Sequence, residues 1–548
     1  MIQPGATGLG AGSPRMWWEE RWFVALVVLL SAIPLLYPPI PPMVDLLGHM
    51  GRYRVQLDLH DSPWLSDYYG FRWAAIGNLG VDLLVMPLGR LIGLEPAVKL
   101  IVLTIPPMTV AGFLWVAREV HGRIPPTAYF AVPFVYGHPF LFGFVNFALS
   151  MALAFLAFGL WLRLGRLGRT RLRAWLFVPI SLVVFFCHTY GWGVLGLLCF
   201  SAEAVRQHDK GVGWMRSGLY AAAHASVMAL PLLIMVAWRS ETHGGTTLDW
   251  FNWQAKWRWV KMALRDRWEN WDLASLGAAG AVLVGAIVIR SLTFSRNLIF
   301  SALVLVAGYI VLPRIIFGSA YADMRLVPYM IATAILAIRF KTPVTRRQAS
   351  LLAAAGLAFT VLRLATTTVS LAMSSDVQQD RLRAIDHMPM GARVITLVGE
   401  GCGYGWLLPR DSHLGAMVIV RRHGFANDQW VLEGQNLLEL RYRAAGPFAA
   451  DPSERVRANG CQVGRLWSIN SALRAIPQGA FDYLWLLDPP PFDPALVEGY
   501  PIVDSGRGWV LYRLNADGGK PRSATPRTEA APGQPESAQA KTPTSEAR

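Results

Sequence analysis

Apolar runs long enough to cross about 30 Å of hydrocarbon recur over the first two thirds of this chain, and a segment in lipid must satisfy its own backbone, so they are expected as helices. Single crossings are expected at 22–37, 75–94, 97–117, 141–162, 217–238, 273–290, 297–313, 326–340 and 349–373. Two stretches stay open: 127–140 is short and ends at Gly137-His138-Pro139, and 174–205 fits one tilted helix or a pair broken at His188-Thr189-Tyr190-Gly191-Trp192-Gly193. The expected fold class is an all-α polytopic membrane bundle of about ten to twelve transmembrane helices with a small C-terminal extracytoplasmic α/β domain. Composition agrees: 53% of the 548 residues are hydrophobic and 16% charged, which excludes an ordinary soluble enzyme. The first run reads as a retained helix and not a cleaved leader, because Glu19 and Glu20 interrupt its basic flank and the prolines Pro38, Pro39, Pro41 and Pro42 follow it.

The net charge of +15 is spread in short clusters between the apolar runs, so no continuous basic face is offered to a nucleic acid. Positive-inside counting is the better use of these bases. Arg163, Arg166, Arg169, Arg171 and Arg173 form one cluster and Arg339, Lys341, Arg346 and Arg347 another, and both are placed in the cytoplasm with the N-terminal segment 1–21. The membrane domain then covers 22–373, and its first loop, 38–74, lies outside together with residues 374–514. Within 374–514, Arg393 to Val398, Asp482 to Leu487 and Gly508 to Leu514 read as strands and Gln429 to Arg443 as helical. Cys402 and Cys461 can pair if this region is outside the cytosol, whereas Cys187 and Cys199 lie in apolar runs. The Pro-, Ala- and Ser-rich tail 515–548 has little to bury and is expected to be disordered.

The loop 38–74 concentrates the chemistry. A helix starting near Met43 puts Asp45, His49, Arg52 and Gln56 on one face, with Asp45 in the first turn, where the helix dipole favours an anion. A base, an imidazole and a guanidinium on one surface suit displacement of a phosphate leaving group: a carboxylate takes the acceptor's proton while cations hold the departing phosphate. Asp45 and His49 are therefore the candidate catalytic residues. Arg52, Arg54, Tyr68 and Tyr69 on the same loop, with Asp323 and Arg325 from a later loop on the same side, are candidates for binding substrate. The bland alternatives are a solvated amphipathic helix for the first group and a structural Asp-Arg pair for the second.

These residues and their setting resemble the GT-C superfamily of integral-membrane glycosyltransferases, which includes protein mannosyltransferases, aminoarabinose transferases of lipid A and lipopolysaccharide sugar transferases. Asp45 in Val44-Asp45-Leu46-Leu47-Gly48-His49 matches the position of the family's first-loop acid. The resemblance implies transfer of a sugar from a polyprenyl-phosphate-linked donor to an envelope lipid, glycan or protein, in a bacterial inner membrane with the C-terminal domain periplasmic or extracellular. Its partners are then the lipid-linked donor, membrane lipids and an acceptor. Many members carry Asp-Glu where this chain has Asp45-Leu46, so no metal or other cofactor is assigned and a divalent ion stays open. Gly143 to Leu149 and Tyr321 to Leu326 also resemble segments of bacterial membrane proteins grouped there, with no chemistry to transfer.

Three further features carry weaker expectations. Trp250, Trp253, Trp257, Trp268 and Trp271 make 249–272 read as one amphipathic helix lying in the headgroup layer with Arg258, Lys261 and Arg265 to one side. His138 and His188, each beside a break, read as packing histidines. Gly399 to Gly405 lacks the strand-GxGxxG-helix order and reads as a turn. The rival functions are a transporter or flippase for an envelope lipid, gated by Asp45, Asp323 and His188, and a non-catalytic membrane assembly protein; inverted repeats would favour the transporter.

Overall fold

Prolines, glycines and one histidine decide where the membrane helices stop. The computed structural model describes residues 15–239, 246–316, 318–342, 344–403, 405–430, 436–461 and 466–515. Arg21–Leu30 ends before the proline run, Leu94–His121 ends at Gly122 in the left-handed region, and His188 separates Thr170–Cys187 from Thr189–His208. The open stretch 174–205 is thus the broken pair, with the His188 Nδ1 accepting the Tyr190 N–H at 3.0 Å where the second helix begins. Pro126–Tyr136 is a buried 3-10 segment wedged among the helices.

Five helices among the described residues are long and apolar enough to cross a membrane: Leu94–His121, Val145–Arg166, Thr170–Cys187, Glu269–Val288 and the helix that starts at Arg346. A sixth crossing is made if Trp214–Met228 and Leu230–Ala237, bent by 62°, count as one span. The protein is an integral membrane protein, but the expected ten to twelve crossings shrink because Arg21–Leu35 and Arg296–Val311 are short and Val327–Leu336 is shorter still.

Arg346–Leu382 ties the two parts of the molecule together. Thr345 and Gln348 form a capping box at its start, and its length of about 55 Å exceeds a bilayer core, so its last turns reach the α/β domain. There Arg381 meets Asp411 at 2.9 Å and Asp488 at 2.5 Å. Buried ion pairs fix neighbouring elements to the same helix and its loops, Arg363 with Asp272 at 2.7 Å and Arg410 with Asp266 at 2.5 Å. Charges so placed are tolerated because each is paired.

In the α/β domain six strands lie in the order Trp467–Ser468, Arg455–Arg457, Val394–Glu400, Tyr483–Leu487, Trp509–Arg513, Ile502–Gly506. The first four are parallel and the last two add antiparallel. Val394–Glu400 and Tyr483–Leu487 are apolar and covered on both faces, as a central parallel pair must be. The disulfide Cys402–Cys461 closes the loops that follow two of the strands.

The loop 38–74 belongs to this domain as much as to the membrane helices. Tyr69–Phe71 pairs antiparallel with Leu438–Leu440, and Val55, Leu65, Tyr68 and Tyr69 share one apolar core with Ile395, Phe425 and Leu484. Leu438–Leu440 is therefore a strand where a helix from Gln429 to Arg443 is expected, because its alternating side chains dock on the loop; residues 431–435 fall outside the described residues. The segment 249–272 also differs from expectation. Trp253–Lys261 and Glu269–Val288 are separate helices, since Arg265 and Asp266 turn inward to partners between them. The 516–548 tail and residues 1–14 lie outside the described residues.

Candidate active site

A cavity of about 1310 Å³ lies between the membrane helices and the carboxyl ends of the parallel strands, the edge of an α/β sheet where ligands generally bind. Val194, Leu197 and Leu326 line its apolar part; Asp45, Arg325, Arg410, Asp411, Arg455 and Arg457 line its polar part.

Asp45 sits at the N-cap of Leu46–Asp58 and not in its first turn, the helix beginning at Leu46 and not near Met43. Its side chain caps no helix N–H and faces the cavity. The seat is built by the backbone. Asp45 N–H donates to the Phe142 carbonyl at 2.9 Å, and Gly143, at φ +99°, lies so close that a Cβ there would stand 2.7 Å from the Asp45 nitrogen. Burial raises the Asp45 carboxyl well above the ordinary carboxylate range, Asp451 adds to the rise, and the Arg325 charge offsets part of it.

Arg325 faces the same cavity with its guanidinium over the Phe144 ring at 4.5 Å and near Phe147 at 5.9 Å. Its Nε is buried without a partner. Asp323 is different: fully buried, it accepts from Lys256 at 3.3 Å and from the Met324 N–H at 2.9 Å, and so pins the turn that presents Arg325. The two segments with no chemistry in the sequence, Gly143 to Leu149 and Tyr321 to Leu326, therefore form the seats of the carboxylate and of the guanidinium.

His49 and Arg52 complete the wall on the same helix. The His49 ring packs on Trp430 with centroids 5.0 Å apart, its Nδ1 has no partner, and burial holds its pKa well below that of a free imidazole. Arg52 is buried and bonded to Asp82 at 2.8 Å, while Asn146 donates to the same carboxylate at 2.9 Å. Both contacts to Asp82 come from Nη2, and the Arg52 Nε is buried without a partner.

Three candidates from the sequence lie away from the cavity. Arg54 donates to the Val420 carbonyl at 3.0 Å and pairs with Asp58. Tyr68 and Tyr69 have their rings in the core and their hydroxyls on backbone, with Gly391 at 2.7 Å and Ala426 at 3.4 Å. Arg265, expected beside the headgroups, does line the cavity, but it is buried and holds the Gly405 and Trp406 carbonyls at 2.8 and 2.6 Å.

Residues of the C-terminal domain that line the cavity were invisible in the sequence. Arg455 and Arg457 end a strand of three residues and carried no motif; Arg457 has Nε and Nη1 buried without partners. His413 stands with its Nε2 3.8 Å from Asp45. Its Nδ1 lies 3.0 Å from the Asp428 carbonyl, which can only accept, so Nδ1 carries the proton. Burial disfavours the charged ring, and a neutral His413 turns a lone pair toward Asp45. Gly399, Gly401, Gly403 and Gly405 of the glycine-rich stretch line the cavity, and Tyr404 lies outside the described residues.

No family model matches the chain, and no curated protein matches it. Among the solved structures that resemble this one are two of ArnT. ArnT from Cupriavidus metallidurans bound to undecaprenyl phosphate superposes with a TM-score of 0.46 at 11% identity, covering 91% of this chain and 98% of that one. ArnT from the same organism in the apo state gives a TM-score of 0.49 at 11% identity over the same shares of the two chains.

Proposed function

We infer that this chain is a membrane glycosyltransferase of the GT-C kind, moving a sugar from a polyprenyl-phosphate donor to an envelope lipid, glycan or protein on the extracytoplasmic face. The observation that carries the reading is that Asp45 and Arg325 line one large cavity together with apolar side chains such as Val194, Leu197 and Leu326 and further guanidinium groups. The sequence resemblance supplies the reaction class. In this reading the lipid chain enters among the membrane helices and its phosphate meets Arg325, whose fork holds two oxygens at once. Asp45 takes the proton from the acceptor hydroxyl or amine as that atom attacks the anomeric carbon. The bond from that carbon to the phosphate oxygen breaks, and its electron pair leaves with the polyprenyl phosphate. A carboxylate made more basic by burial suits this role, and a neutral His49 orients the acceptor. Arg325 replaces Arg52 as the phosphate cation, since Arg52 is committed to Asp82.

The sidedness is supported by the basic clusters. Val145–Arg166 leads from the cavity at Val145 to Arg163 and Arg166 about 30 Å away, and Arg346 and Arg347 begin the helix whose other end reaches the α/β domain. The test is transfer of a labelled sugar from a synthetic polyprenyl-phosphate donor by the full chain in proteoliposomes. Asp45→Asn is expected to lower turnover roughly 100-fold with donor binding retained. Full turnover in that variant, or movement of intact donor across the bilayer with no bond broken, would replace this reading with a transporter.

A further inference from the structure

Three side chains of the α/β domain that the sugar transfer does not use meet at the cavity wall. His413, Asp451 and Glu454 each bring a ligand atom within 4.8 Å of the other two. We propose that they hold a divalent cation of the zinc or manganese class, with a coordination position open to the cavity.

The cluster is not a surface patch of acids. Glu454 is fully buried and neither of its carboxylate oxygens has a hydrogen-bond partner. Beside it the buried Asp428 also has one oxygen without a partner. An unpaired buried carboxylate is costly, and the neighbouring guanidinium, Arg455, gives its Nε to Glu400. What Glu454 lacks is a cation in direct contact. His413 points to a metal as that cation, because the bond from Nδ1 to the Asp428 carbonyl leaves Nε2 unprotonated, the tautomer and backbone support that metal-binding histidines show. One imidazole nitrogen with two carboxylates suits zinc or manganese better than calcium or magnesium. Ligand atoms around such an ion at ~2.1 Å lie about 3–4 Å apart, so small side-chain rotations close the shell. His413 and Asp451 line the cavity while Glu454 lies behind them, so the fourth position faces a ligand in the cavity.

The experiment uses the full chain in detergent, stripped with a chelator, dialysed, and titrated with Zn²⁺ with Mn²⁺ as competitor. Elemental analysis is expected to find one ion per chain in the wild type, with a higher melting temperature when loaded. Asp451→Asn and His413→Gln should weaken Zn²⁺ binding by about 10-fold or more, whereas His387→Gln, on an exposed histidine elsewhere in the domain, should leave it unchanged. No stoichiometric ion in the wild type, or equal affinity in all three variants, overturns the proposal. If the carboxyl groups share a proton instead, the wild type binds no ion and Glu454→Gln melts higher. Loading of the wild type decides the matter even where a variant does not fold. The readout needs no donor sugar, so its failure and a failure of the transferase reading are separate results.

Discussion

Replacing Gly143 by alanine should displace Asp45 without touching any group that meets substrate. The new methyl would stand 2.7 Å from the Asp45 nitrogen, 2.8 Å from the Leu46 nitrogen and 3.2 Å from the Asp45 Cα, all backbone atoms that cannot swing aside as a side chain would. Ordinary contact begins at 3.4 Å, so the strand of chain before Leu46 must retreat by about 0.7 Å. The hydrogen bond from Asp45 N–H to Phe142 is stretched by the same movement. A non-glycine residue at φ +99° adds strain of about 1–3 kcal/mol, and overpacking adds a similar amount, giving roughly 2–6 kcal/mol in all. Displacement of a catalytic group on this scale costs about 10- to 100-fold in turnover. Gly122→Ala is the matched control: φ is +76° but nothing lies within 4 Å of the added carbon, so it should cost about 1 kcal/mol and leave turnover intact. Unfolding in detergent and turnover with the polyprenyl-phosphate donor measure the two effects. If Gly143→Ala matches Gly122→Ala in both assays, the backbone contact does not set the position of Asp45.

Arg325→Lys keeps the charge but loses the fork and the stack on Phe144, and should raise the donor KM about 10-fold or more while the melting temperature hardly moves; an unchanged KM would take Arg325 out of the phosphate site. Arg52→Leu leaves Asp82 buried without its cation and should cost about 3–5 kcal/mol of stability, largely restored by adding Asp82→Leu, whereas a purely kinetic defect would return Arg52 to substrate binding. Cys402→Ser opens a loop of 59 residues and should lower the stability of the α/β domain by about 4 kcal/mol; the wild type should resist maleimide until reduced, and immediate labelling of Cys402 would refute the bridge.

Hydrophobic patterning was enough to specify a helical membrane bundle followed by a small α/β domain, because a bilayer permits so few backbone solutions. The helix break at the proline run was equally legible, since it rests on covalent limits of the backbone, whereas at His188 the sequence left one tilted helix and a broken pair both open and local capping decided for the pair. Asp45, His49 and Arg52 could be placed on one side of one helix by periodicity alone. What periodicity could not supply was the partner of each charge. Arg52 and Arg325 look alike in sequence, yet Asp82 arrives 30 residues later to engage the first, while Phe144 and Phe147 offer the second only their ring faces. Tyr68 and Tyr69 were drawn into a core by strands more than 300 residues away, a pairing that depends on register and not on local composition. His413, Asp451 and Glu454 likewise become a cluster only when the loops after separate strands converge at one end of the sheet. Local sequence fixes what each residue can do, but charge pairing and burial are properties of the packed neighbourhood, and these decided which residues face the cavity.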